Sequence, residues 1–99
     1  MSIRIDPPVS PAEILREEYL EPLGMSAGAL AKRLRVPRTR IERVAKGIHP
    51  ITSDTALRLA KFFNTTPEFW MNMQAAYDLA VARKTLATEL EQIEELTAA

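Results

Sequence analysis

Met25-Ser26-Ala27-Gly28-Ala29-Leu30-Ala31-Lys32-Arg33-Leu34-Arg35-Val36-Pro37-Arg38-Thr39-Arg40-Ile41-Glu42-Arg43-Val44-Ala45-Lys46-Gly47 reads as two short amphipathic helices joined by a tight turn. Ser26 is placed to cap the first, and Leu30, Ala31 and Leu34 form its inward side. Ala31 is small enough for two helices to cross closely. Arg35-Val36-Pro37 makes the turn, and the second helix runs about Arg38 to Lys46 with Ile41, Val44 and Ala45 inward. Gly47 is set to close it in the left-handed conformation. The stretch holds seven Lys or Arg and one Glu, a net +6 in a chain whose 13 basic and 13 acidic residues cancel.

Two such helices with a basic second member match the helix-turn-helix, which lays its second helix into the DNA major groove. At about 100° per residue, burying Ile41, Val44 and Ala45 puts Thr39, Glu42, Arg43 and Lys46 on the opposite face. Arg38 and Thr39 sit at the N-terminal tip, where base contacts concentrate in this motif. Arg38, Thr39 and Arg43 are therefore the expected base readers. A bidentate arginine–guanine pair discriminates by about 1–3 kcal/mol. Ser26, Lys32, Arg35, Arg40 and Lys46 are the expected phosphate contacts. The start of the next helix, with Thr52, Ser53 and Thr55, adds a phosphate site through its backbone N–H groups. A basic amphipathic helix is often only a solvated face. The joint spacing of Ala31, the turn, Ile41 and Gly47 favours the DNA reading. Arg35 stands where glycine is common, at a cost of about 1 kcal/mol for a left-handed residue with a side chain.

Outward from this core, 99 residues suit one domain. The absence of cysteine excludes disulfides, thiolate metal sites and cysteine nucleophiles. No secretory signal and no membrane span is visible, so the cytoplasm is the expected location. His49 is the only histidine and has no cysteine or second histidine beside it, so no metal site and no cofactor are expected. Glu13, Glu17 and Glu18 read as a solvated face rather than acid–base machinery, and no catalytic constellation is found.

The chain divides into an extended arm, 1–9, a helix-turn-helix domain, 10–84, whose core is 26–64, and a C-terminal helical extension, 85–99. Ser10-Pro11 with Glu13 starts a first helix that Pro22 and Gly24 end near Leu20. Thr52 caps the fourth helix, in which Leu57, Leu59, Ala60, Phe62 and Phe63 supply core mass and Asn64 closes the turn. Thr66-Pro67-Glu68 opens a fifth, with Trp70 and Met73 packing on the fourth. Nothing after Pro67 breaks it, so the spacing predicts a long last helix of about 25–30 residues. The fold class is all-α, with five helices and no competing strand signal. Leu79, Leu86, Leu90 and Ile93 make a stripe beyond the domain that a second copy of the same helix would cover, giving a two-fold homodimer suited to a palindromic operator.

Residues 26 to 64 resemble the phage-repressor (XRE, Cro-type) helix-turn-helix domain. Three flanking blocks narrow the likeness: Pro11-x-Glu13 through Gly24, Ile51-Thr52 through Ala60, and Pro67-Glu68-Phe69-Trp70 through Leu79. Occurring in this order, they resemble the HigA antitoxin family over about residues 6 to 84. The resemblance implies an antitoxin of a type II toxin–antitoxin module. It implies a dimer that represses its own operon by binding operator DNA, and a RelE-like mRNA endonuclease toxin, HigB, as partner. The arm and first helix are the expected toxin surface. Two positions depart from the wider family: Ala27 stands where a phosphate-touching glutamine is frequent, and Arg35 replaces glycine. A stand-alone repressor and a protein-interaction adaptor are the alternatives.

Overall fold

The computed structural model describes residues 9–97, so the proposed arm, apart from Val9, lies outside the described residues. α1 (Pro11–Ile14) runs directly into a π-helical segment (Leu15–Leu20) and on into α2 (Glu21–Leu23). Then come α3 (Ala27–Leu34), α4 (Arg38–Ala45), α5 (Ser53–Phe63), α6 (Pro67–Thr85) and α7 (Ala87–Glu91). The described residues contain no strand, as the all-α reading expects.

The helix starts follow from side chains named in the sequence. Ser10, Ser26, Thr52 and Thr66 each accept a hydrogen bond from the backbone N–H three residues on. α4 differs, because Pro37 occupies its cap and offers no side-chain oxygen. Four left-handed residues turn the chain out of its helices: Gly24, Arg35, Gly47 and Asn64, with φ between 57° and 76°. At each, the following N–H reaches back five residues to a helix carbonyl: Met25 to Leu20, Val36 to Ala31, Ile48 to Arg43 and Thr65 to Ala60.

The first helix does not end at Leu20. In the π-helical segment the Glu21 N–H bonds to the Arg16 carbonyl, five residues back. The wider turn relieves the clash a proline makes with the carbonyl four residues before it, and Pro22 is carried inside the rod. Gly24 is the actual terminator.

Leu15, Leu30, Ile41, Leu59 and Trp70 are completely buried and form the centre of the core. Trp70 packs on α5 through Phe63 and on the π-helical segment through Tyr19, with ring centroids 6.2 and 5.1 Å away. Its indole N–H donates to Thr65 Oγ1 at 2.8 Å, so the ring is buried without an unsatisfied donor. Leu57 departs from expectation: it is mostly exposed, on the side of α5 away from Leu59. Phe62 and Phe63 are only half-buried at the core's edge.

The last helix is shorter than its sequence suggests. α6 has 19 residues, and Leu86 leaves helical geometry with φ −98° and ψ 6°. The Thr85 hydroxyl donates to the Val81 carbonyl, a local bond that competes with the helix ladder. Helix resumes only for α7, and residues 92–97 are not helical. The expected helical extension over 85–99 therefore holds helix only at Thr85, the last residue of α6, and at 87–91 among its described residues. Glu89, Glu91, Glu94 and Glu95 set negative charge at a helix C-terminus, where the dipole opposes it, and no core packing offsets that.

Candidate nucleic-acid interface

α3 and α4 pack together through Leu30, Ala31, Leu34, Ile41 and Val44, so the face of α4 opposite Ile41 and Val44 must point outward. Thr39, Arg43 and Lys46 are exposed there, and Arg38 stands at the tip with its side chain 75% accessible. Glu42 lies among them and accepts from Arg38 Nε at 3.0 Å, one turn apart. Lys32 and Arg35 are exposed on the neighbouring helix and its turn, and Ser26, Thr52 and Ser53 are exposed at helix starts. Arg35 adopts φ 62°, the conformation expected at this turn.

Two residues expected at phosphates are placed otherwise. Arg40 is half-buried, and its Nη1 donates to Asp54 Oδ1 at 2.6 Å, turning the guanidinium toward α5. Thr55 is buried at 1% exposure, with its hydroxyl 3.4 Å from that of Thr52. The first turn of α5 needs it inside, which leaves Thr52 and Ser53 on the surface.

Polar supports hold the frame through long-range bonds that simple periodicity does not signal. Asp54 Oδ1 also accepts from Arg58 Nε at 2.7 Å. The guanidinium of Arg58, and after it that of Arg40, holds the Asp54 carboxyl below the usual carboxylate range. Arg58 Nη1 donates to the Leu34 carbonyl at 2.8 Å, satisfying the end of α3. Arg16 Nη1 donates to the Ala45 carbonyl, tying the first helix to the end of α4. Behind them, buried Gln74 accepts from the Ile51 N–H at 2.8 Å and donates to Asp78 at 2.9 Å. The i, i+4 pairs Asp54–Arg58 and Gln74–Asp78 are readable in the sequence; their long-range bonds are not. His49 is exposed in the loop after Gly47. Among the described residues no helix is long and apolar enough to cross a membrane, and no group of three His, Cys, Asp or Glu is disposed to hold a metal.

Residues 17–70 match the helix-turn-helix family. The chain is 37% identical over 89 residues to antitoxin HigA-1 of Vibrio cholerae, covering 90% of this chain and 84% of that protein. It is 49% identical to an addiction module antidote protein of the HigA family from Coxiella burnetii, with TM-score 0.82, covering 93% of this chain and 98% of the other. Against the Pseudomonas aeruginosa antitoxin HigA solved with the higBA promoter, identity is 36% and TM-score 0.87, covering 91% and 99%. Three blocks of sequence, the all-helical frame and these matches agree: the chain belongs to the HigA family of helix-turn-helix antitoxins.

Proposed function

We propose that this chain binds operator DNA as a homodimer, represses its own operon and neutralises a HigB/RelE-like toxin. Arg38, Thr39 and Arg43 read bases from the outer face of α4. Lys32, Arg35 and Lys46, with Ser26, Thr52 and Ser53, take phosphates on either side. Arg40 and Thr55 belong to the frame rather than to the contact set. The observation that carries this reading is the exposed Thr39–Arg43–Lys46 face, in a fold that superposes on a promoter-bound relative. Leu79, Leu86, Leu90 and Ile93, all exposed, supply the face that a second copy covers. The toxin surface is assigned to the rod of α1 and α2, whose outer side carries Glu13, Glu17, Glu18 and Glu21, all exposed and suited to a basic partner.

A gel shift with the chain's own promoter at two salt concentrations tests the DNA part. Affinity falls steeply with salt, because released counterions supply much of it. Arg43→Ala lowers promoter affinity by about 1–3 kcal/mol and leaves random-sequence binding nearly unchanged. Equal losses on both DNAs would move Arg43 to the phosphate set. Co-expression with an adjacent RelE-like reading frame tests the toxin part. Operator binding without co-purification of that product would leave a stand-alone repressor.

A further inference from the structure

α4 carries one acid among its cations, and α3 carries a glycine that its backbone does not require. Both meet Arg38. Glu42 Oε2 accepts from Arg38 Nε at 3.0 Å. Gly28 lies inside α3 and is not among the left-handed residues, so no backbone strain calls for glycine. Glycine inside a helix is instead unfavourable relative to alanine. A Cβ at position 28 would stand 3.2 Å from Arg38 Nε, 3.4 Å from Cδ and 3.5 Å from Cγ, the first tighter than ordinary contact.

The Arg38 side chain therefore lies across the α3 backbone at Gly28 and is fixed at Nε by Glu42. With Nε engaged, the two terminal nitrogens remain for an end-on bidentate contact, the geometry that fits guanine O6 and N7. We propose that Gly28 and Glu42 are positioning residues that set Arg38 for one guanine in each half-site. Resting on the DNA-binding reading above, this adds the base and the two residues that select it. Glu42 has a second effect, since its carboxylate repels phosphate and so lowers affinity for unrelated DNA. An exposed ion pair contributes little to stability, so its role is orientation.

The test uses the full chain and duplexes of its own promoter in which each guanine is replaced in turn by 7-deazaguanine, which lacks N7. Wild-type affinity drops roughly 10-fold at one guanine per half-site, the scale of a bidentate contact, and Arg38→Ala does not respond to that replacement. In Glu42→Ala, which removes the acceptor, the penalty shrinks at that guanine alone, while affinity for random-sequence DNA rises. Gly28→Ala loses the same penalty with an unchanged or higher Tm, because alanine favours the helix. A purely structural role would lower Tm and both affinities together. Full wild-type penalties in both variants, or a penalty retained in Arg38→Ala, would overturn the proposal. A wild-type protein that shifts no promoter DNA at low salt would overturn the DNA-binding reading and this one with it.

Discussion

The first two turns of α6 and the remainder of the same helix live in opposite surroundings. Trp70 is completely buried and Gln74 nearly so, whereas no residue from 75 to 97 is buried. Upstream, the indole sits among Tyr19, Phe63 and Phe69. Downstream, Leu79 and Val81 on α6, and Leu86, Leu90, Ile93 and Leu96 past its end, are between 43% and 98% exposed. Helices in water are held mainly by packing of an apolar face rather than by propensity. One half of α6 closes the domain's own core. The other displays an apolar face of the kind that marks an interaction surface, and the second copy proposed above is its natural cover.

The largest effect is expected at the buried end. Trp70→Ala should cost about 3–5 kcal/mol of unfolding free energy, measured by denaturant titration. A loss under about 1 kcal/mol would mean that α5 and the first helix close the core without α6. At the exposed end, Leu79→Asp combined with Leu90→Asp should change the fold of the 9–74 region little, by circular dichroism. It should convert the dimer to a monomer by light scattering. Operator affinity then falls about 100-fold, since both half-sites are no longer engaged at once. A dimer that survives both substitutions would erase the contrast between the two halves.

The same contrast explains what the sequence disclosed. Capping side chains and left-handed closures act within a few residues, so Ser26, Thr52, Gly47 and Asn64 announce their structural roles directly. The inward faces of α3 and α4 follow from helical period, and with them the outward set Thr39, Arg43 and Lys46. Three features escaped, the first two because they depend on elements distant in the chain. The direction of Arg40 is set by Asp54 on another helix. The burial of Thr55 and exposure of Leu57 depend on which side of α5 meets the core. Pro22 survives inside a helix because the π-helical segment before it widens the turn, and proline alone gives no hint of that. The break at Leu86 escaped for a related reason: an unbroken helical pattern says nothing of whether packing sustains the helix.

The smallest expected effect concerns the link between α4 and α5, and it sharpens the distinction between cations that face DNA and cations that hold the frame. Asp54 accepts from both Arg40 and Arg58, and its folded-state pKa lies below the ordinary value of 3.8, chiefly through the Arg58 bond and then that of Arg40. A carboxyl with a depressed folded pKa stabilises the fold above its unfolded pKa, and that contribution disappears as pH falls through the lower folded value. Wild type and Asp54→Asn should therefore differ slightly in Tm at pH 7 and converge in strong acid, below the ordinary carboxylate range. Because the carboxylate is exposed, the difference at neutral pH is small and shrinks with salt. The same variant releases the Arg40 guanidinium beside the α4 face, while Arg58 keeps its bond to the Leu34 carbonyl, so the salt slope for random-sequence DNA should steepen by about one phosphate contact. A Tm difference independent of pH would remove the ionised network from the frame. An unchanged salt slope would show that Arg40 stays turned away from DNA even without its acid.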